Sequence, residues 1–337
     1  MLETNEKYVL TISVAAYNRE KDISHGLDSI AGCTELDKIE VLIIDDGSTD
    51  DTSVIARQYE KKHPGTFKVI TKENGGWGST VNCGLDKAKG KYFKVLDADD
   101  SMATESLALF VQQLESLEAD LVCTGFFERM IKTNKQKEYY KSIPDVVPGQ
   151  MYSIETVADK IPMHIHSLAF RTDALRDKCV QLLEKSFYVD KELIVKSIIA
   201  SSTVSFLNLS VYIYNKEVDG QSLSAAGLNK HIDENSNICL SIAGIVEKQH
   251  DSNVKACLRE YVLNCIQWNY IFLVSIDAND QHRKSLLTFN RRLKDECGYY
   301  YRNRSVARSF IVFERVHFFP YHFMMKYYHK RLGIEQH

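Results

Sequence analysis

No run of about 18 apolar residues occurs in the 337-residue chain, so no membrane-spanning helix is expected. No two of the eight cysteines, at 33, 83, 123, 179, 239, 257, 265 and 297, form a CxxC pair. The first 20 residues show no positively charged leader followed by an apolar run. A cytoplasmic protein with reduced cysteines is the simpler reading. Neither charge sign dominates: the formal net charge is -3, which implies no general attraction to nucleic acid. A GxGxxG is missing after the first apolar stretch, and the glycine-rich ENGGWGS (73–79) lacks the GK[ST] ending of a phosphate-binding loop. These two omissions count against a dinucleotide-binding fold and an ATPase. What is present is a globular composition, with 44% apolar and 26% charged residues. The length suits one large domain or two modest ones.

YVLTISVAAY (8–17), KIEVLIIDDG (38–47), TFKVIT (66–71) and KYFKVLDA (91–98) read as short strands that end in polar or turn residues. Helix-like segments lie between them at 19–33, 49–63 and 78–90, and a further helix precedes a strand at LVCTGF (121–126). Strands alternating with helices at this spacing predict an α/β fold with a mostly parallel sheet flanked by helices. Ligands of such sheets bind outside the carboxy ends of the strands. That edge collects Asn18, Asp45, Asp46 and the acidic cluster 97–100.

Asp97 and Asp99 are two apart and face the same way on extended backbone. Two hard oxygen ligands beside open positions suit Mg²⁺ or Mn²⁺ bridging a diphosphate. A solvated turn after a strand is the bland alternative. Asp45 and Asp46, closing a different strand, tilt the balance toward a site, because two acidic clusters on one edge need a shared partner. A carboxylate there also suits the ring N–H of uracil or thymine.

AAYN (15–18), IIDDGSTDDT (43–52), ENGGWGSTVNCGLDKAKGKYFKVLDADD (73–100) and FYVD (187–190) resemble the motifs of family 2 glycosyltransferases of the GT-A fold. The resemblance extends to bacterial capsule and exopolysaccharide enzymes and is densest over residues 7–130. It implies a Rossmann-like GT-A domain over 1–228, with a nucleotide-binding half at 7–130 and an acceptor half at 131–228. The activity implied is inverting, metal-dependent transfer of a sugar from a nucleotide donor, with a UDP-sugar favoured. The acceptor implied is a saccharide or lipid-linked saccharide of the cell surface. The resemblance places Ala16, Tyr17 and Asn18 along the nucleotide, with Asp45 beside Asp46 and Asp46 on the base. It places Asn74 and Gly75 in the loop near the phosphates. Asp97 falls on the ribose and metal side and Asp99 at the firmer metal ligand, for Mn²⁺ or Mg²⁺. Val81 stands where many relatives carry Arg, which weakens the phosphate contacts inferred for this loop. Trp77 has two readings, a ring stacked on sugar or base, or a tryptophan wedged against the sheet.

Inversion needs a base that takes the acceptor hydroxyl proton. Asp190 occupies the family's position for it, Glu192 is the reserve, and an N-terminal helix cap is the structural alternative for Asp190. His164 and His166 have the spacing of a ligand pair but no Cys or carboxylate close in sequence, so they read as structural or acceptor-lining. Gln221 and Ser222 resemble a GQS segment of capsule enzymes, with a surface turn as the default reading.

From 229 to 337 apolar residues recur at three- and four-residue spacing, which predicts a helical accessory region. Residues 301–337 interleave Arg302, Arg304, Arg308, Arg315, Lys326, Lys330 and Arg331 with aromatics, and Pro320 breaks them into two helices. Peripheral contact with an anionic bilayer at the inner face of the membrane, or a homodimer interface, explains that pattern better than nucleic acid. A nucleotidyltransferase is the competing enzyme, though AAYNREKD lacks the glycine-rich basic loop it needs. A catalytically degenerate sugar-binding protein of the same fold is the non-enzymatic alternative. Retention of Asp46, Asp97, Asp99 and Asp190 argues against it.

Overall fold

The structure, a computed structural model, describes residues 7–216, 225–275, 279–306 and 308–332. The chain divides into two compact units, Met1–Asp219 and Gly220–His337.

The first unit opens with β1 (Leu10–Ala16), α1 (Ile23–Ala31), β2 (Ile39–Asp45), α2 (Thr52–Lys62), β3 (Phe67–Thr71), α3 (Trp77–Lys87) and β4 (Tyr92–Asp97). These strands pair in parallel in the order β3-β2-β1-β4. The alternation of side chains decides which helix covers which face. Leu10, Ile12, Val14, Ile39, Val41 and Ile43 point one way, into a cluster with Ile23 and Leu27 of α1 and Ala56 of α2. Thr11 and Ser13 point the other way, toward the α3 side. There Thr11 Oγ1 accepts the Gly90 N–H at 2.8 Å, and Gly84 leaves room for Ser13 Oγ.

Beyond β4 the sheet becomes mixed. The unit continues with β5 (Ser101–Met102), α4 (Thr104–Ser116), β6 (Leu121–Met130), β7 (Lys135–Tyr139), β8 (Met151–Ser153), α5 (Ile154–Val157), β9 (Leu168–Arg171), α6 (Thr172–Asp177), α7 (Asp190–Ala200) and β10 (Thr203–Lys216). Short β9 inserts antiparallel between β4 and β6, and β10 runs parallel to β6. α4 joins α1 and α2 in the same hydrophobic cluster through Leu107, Phe110, Val111 and Leu114. On the opposite face α3, α6 and α7 pack in succession.

A buried lysine fastens the turn before β9. Lys94 Nζ donates to the carbonyls of His166 at 2.9 Å and Leu168 at 3.0 Å. Burial without a carboxylate pushes its ammonium down to about 7.

The second unit is helical in its described residues: α8 (Ala225–Glu247, kinked at His231), α9 (Asn253–Ser275), α10 (Asp280–Glu296), α11 (Gly298–Asn303), α12 (Arg308–Arg315) and α13 (Tyr321–Leu332). The break between α12 and α13 falls at Pro320, as the sequence predicts. Asn279 caps α10 by accepting the His282 N–H at 2.8 Å. Ile238, Ile242, Val246, Leu258, Ile266, Phe289 and Met324 are buried in this unit. Arg304, counted among the tail's basic residues, is buried against Glu314 at 2.8 Å and is withdrawn from the surface. Among the described residues no helix is long and apolar enough to cross a membrane. Gln221 and Ser222 lie outside the described residues.

Candidate active site

The carboxy ends of β1 and β2 are strapped together by side chains. Asn18 takes a left-handed backbone (φ 51°), which Asn tolerates better than most residues. Its N–H donates to Ser48 Oγ at 3.0 Å and its Oδ1 accepts the Thr49 N–H at 2.8 Å. Beside it Ala16 is buried, its carbonyl accepting the Asp46 N–H at 2.9 Å, while the Tyr17 ring is 49% exposed at the rim. Asp45 is buried, with Oδ1 accepting the Ser48 N–H at 3.0 Å and Oδ2 without a hydrogen-bond partner among the described residues.

Asp46 is also buried, and the glycine-rich loop closes around it. Its Oδ1 accepts from Lys72 Nζ at 2.8 Å and the Gly75 N–H at 3.0 Å, and its Oδ2 accepts from the Gly76 N–H at 2.7 Å. Asn74 Nδ2 donates to the Asp46 carbonyl at 3.0 Å. Gly47 (φ 77°) permits this approach, because a Cβ there would sit 3.2 Å from both Asn74 N and the Lys72 carbonyl. Three of the expected nucleotide contacts, Asp46, Asn74 and Gly75, are thus bonded to one another.

Around β4 the acidic residues separate into different environments. Asp97 accepts Trp77 Nε1–H at 2.5 Å through Oδ1, and its own N–H donates to Tyr212 Oη at 3.2 Å. Burial, and after it the charge of Asp99, push the Asp97 carboxyl up to about 7. Asp99 lies 3.6 Å from Arg19. Asp100 is fully engaged: Oδ2 accepts from Tyr212 Oη at 2.6 Å and Oδ1 from the Asn215 N–H at 2.7 Å. Burial holds it well above the usual carboxylate range.

Asp97, Asp100 and His166 place one possible ligand atom each within 4.8 Å of one another, and Asp99 is not in that group. His166 is buried against Tyr212 (ring centroids 4.3 Å), burial holds it neutral, and its Nδ1 has no hydrogen-bond partner among the described residues. A neutral, buried imidazole beside two carboxyls that burial holds above the usual carboxylate range is the donor set that a divalent cation relieves. The residues fit such an ion.

Asp190 is the first residue of α7. Val189 is the N-cap and no side chain caps the helix, so the cap reading of Asp190 does not describe its place. Its charge acts on both Asp97 and His164, which sets it on the same side as the β4 cluster. Glu192 is buried, paired with Lys196 at 2.8 Å, and accepts the Leu183 N–H at 2.9 Å. Gly78 lets the Leu183 carbonyl lie directly on α3, so the segment before Asp190 is seated on that helix.

Sequence reasoning did not assign Lys72, Arg19, Tyr212 or Asn215, and it separated His166 from the aspartates. Trp77 meets an acid through its ring N–H, a role neither of its readings anticipated. Only the His164–His166 pair and the YIY segment carried any signal. The partners of both are more than forty residues away in sequence.

Residues 11–177 match the sequence profile of the family described as Glycosyl transferase family 2. Those residues form a family 2 glycosyltransferase domain. The chain is 24% identical over 278 residues to the minor teichoic acid biosynthesis protein GgaB of Bacillus subtilis, a match that covers 80% of this chain and 30% of GgaB. It spans between 30% and 66% of the lengths of the first curated relatives it matches. In fold it is similar to residues 1–349 of S. aureus TarS, solved in complex with UDP-GlcNAc. The TM-score is 0.68 at 18% identity, over 98% of this chain and 93% of that one. It is also similar to the mannosyltransferase PcManGT of Pyrobaculum calidifontis, solved with GDP-Man and Mn²⁺. Here the TM-score is 0.53 at 16% identity, over 96% of this chain and 86% of that one. The fold is that of GT-A enzymes, with a candidate metal cluster at the end of β4.

Proposed function

We propose that the glycosyltransferase moves a sugar, with inversion, from a UDP-sugar to a saccharide or lipid-linked saccharide in the synthesis of a surface polysaccharide or teichoic acid. The observation that carries this reading is that the Asp190 charge bears on the buried Asp97 carboxyl, after burial, the charge of Asp99 and the Trp77 hydrogen bond. A carboxylate that acts as base and a carboxylate that faces the donor share one electrostatic neighbourhood. Domain assignment follows the same reading, with donor binding in 7–130, acceptor binding in 131–228 and an accessory role for 229–337.

Asp190 takes the proton from the acceptor hydroxyl as that oxygen attacks the anomeric carbon. Glu192, held by Lys196 and the Leu183 amide, positions the preceding segment instead. Tyr17 stacks on the base, and the Asp45–Asp46 strand end with the Asn74–Gly75 loop forms the wall against which the nucleotide lies. Asp97, with Asp100 and His166 within reach of it and Asp99 as the other acid of the pair, would hold Mn²⁺ or Mg²⁺. When bound, the ion supplies electrophilic stabilisation of the departing diphosphate. The TarS complex with UDP-GlcNAc supports a uridine donor with an N-acetylhexosamine first among candidates.

A panel of nucleotide sugars, read out by released nucleoside diphosphate with a lipid-linked saccharide as acceptor, tests the reading. Asp190→Asn is expected to lose about 10²–10⁴-fold in transfer, whereas Glu192→Gln chiefly lowers stability. Near-normal transfer by Asp190→Asn, or tight calorimetric binding of GDP without UDP, overturns it.

For the tail we propose peripheral contact with an anionic bilayer. Val312 (60% exposed), Phe319 (67%) and Phe323 (65%) stand among the exposed Arg315, Lys326 and Lys330. Each basic residue contributes about 1 kcal/mol near such a surface, less at high salt. Salt-sensitive sedimentation with anionic liposomes is expected. A chain ending at Cys297 that turns monomeric, with no liposome binding by the full protein, favours a dimer interface instead.

A further inference from the structure

A cavity of about 410 Å³ opens in the first unit between α1, the start of α4 and the ends of β6 and β10. It lies on the side of the sheet covered by α1 and α4, away from the α3 and α7 side that carries Asp46 and Asp190. Its lining includes His25, Asp28, Ser101, Thr104 and Arg129. Nothing in the transfer reaction uses these residues.

Arg129 is the centre of this lining. Its Nε donates to Asn215 Oδ1 at 2.9 Å and its Nη2 to His25 Nε2 at 2.7 Å. A guanidinium only donates, so His25 accepts through Nε2 and is neutral. Burial, with Arg129 second, lowers its pKa, and Asp28 acts in the opposite sense. Among the described residues no carboxylate pairs directly with Arg129, although Asp28 lines the same cavity.

Two further features point the same way. Ser101 is 1% exposed, and its Oγ has no hydrogen-bond partner among the described residues although the residue lines the cavity beside its strand neighbour Ile213. A buried hydroxyl without a partner is costly unless something arrives to bond it. The thirteen-residue α4 begins at the same opening with Ala103 at its N-cap, which offers no side-chain acceptor to the first amides. Ala103 and Thr104 line the cavity, so the start of the helix and the positive end of its dipole lie at its wall. The other hydroxyls nearby are occupied: Thr104 Oγ1 donates to the Ser29 carbonyl at 2.8 Å, and Ser29 Oγ accepts the Met102 N–H at 2.9 Å. Asp28 opposes an anion, but its Oδ1 accepts from Tyr59 Oη at 2.7 Å.

We propose that this cavity is a binding subsite for a phosphate-class oxyanion, held by the Arg129 guanidinium, the Ser101 hydroxyl and the first amides of α4. It borders the acidic strand end from behind. Asn215, which accepts from Arg129, also donates its side-chain amide to the Asp99 carbonyl at 2.8 Å and its N–H to Asp100 Oδ1. An anion drawn onto Arg129 thus bears on the residue that supports the Asp99–Asp100 backbone. Inorganic phosphate and the phosphodiester of an acceptor chain share the required chemistry.

Calorimetric titration of the full chain with inorganic phosphate, in EDTA so that no metal–phosphate contact forms at Asp97, tests the site. A parallel titration uses glycerol phosphodiester. Saturable, salt-weakened binding is expected, reduced about tenfold or more by Arg129→Gln and several-fold by Ser101→Ala. Ser101→Ala removes a hydroxyl with no partner and should leave the melting temperature in place, so it remains informative if Arg129→Gln folds poorly. Binding of the diester as well as phosphate supports an acceptor-chain source, and binding of phosphate alone supports a free-ion source. No saturable binding up to tens of millimolar, or binding unchanged in both variants, overturns the proposal. Its outcome is independent of whether Asp190 is the base, because the titration needs neither donor nor turnover.

Discussion

Asp45–Asp46 at the end of β2 and Asp97–Asp100 at the end of β4 are near-identical acidic strand ends, flanking β1 on either side. At β2 the protein provides donors of its own. Lys72, the Gly75 and Gly76 amides and the Ser48 amide all turn toward the two carboxylates. At β4 it provides them unevenly: Asp100 is satisfied by Tyr212 and Asn215, while Asp97 has one indole N–H and a like charge nearby. An acidic cluster closed by backbone amides builds a loop. One left short of positive charge is poised for a ligand that brings it.

The sharpest way to break this contrast is Asp97→Asn, which keeps an acceptor for Trp77 and removes the charge. Donor turnover should fall by about 10²–10³. Stability should move in the opposite direction. The folded carboxyl holds its proton up to about 7, whereas an unfolded aspartate releases it near pH 4. The wild-type protein therefore loses stability as pH rises between those values and stays at the reduced level above them. Urea unfolding in EDTA should show Asp97→Asn on the order of 1–2 kcal/mol more stable than wild type at pH 8 and equal to it near pH 4. A variant less stable at pH 8 would mean that Asp97 is already compensated, like Asp46.

Asp46→Asn should do the converse. An amide in place of Oδ2 turns a donor toward the Gly76 N–H, and Lys72 keeps its oxygen acceptors but loses the opposite charge. The expected cost is about 2–3 kcal/mol in unfolding free energy, with kcat at saturating donor retained. Unchanged unfolding with only a raised donor KM would place Asp46 among the ligand-facing acids and dissolve the distinction.

The smallest effect belongs to Asp45→Asn. Oδ1 keeps the Ser48 amide, and the oxygen that is replaced has no partner. A change within about 1 kcal/mol is expected in the same unfolding assay. A loss beyond about 2 kcal/mol would reveal a buried partner for Oδ2, such as an ordered water.

By itself the sequence determined the alternating strands and helices of the first unit, the acidic residues at their carboxy ends, the helix that begins at Asp190, and the helical run after 229 with its break at Pro320. These follow from hydrophobic period and from turn and helix-breaking residues, which act over a few neighbours and are written in consecutive letters. Only the tertiary structure decided that β9 enters antiparallel, and that His166 comes to Asp97 and Asp100. It alone joined Asp46 to the loop at 75–76, buried Glu192, brought the Asp190 charge to bear on Asp97, and left Arg129 and Ser101 around an open cavity. A carboxylate becomes structural or chemical according to which donors reach it. Those donors arrive from 26 residues away for Lys72 and 112 for Tyr212, through packing that no local pattern encodes.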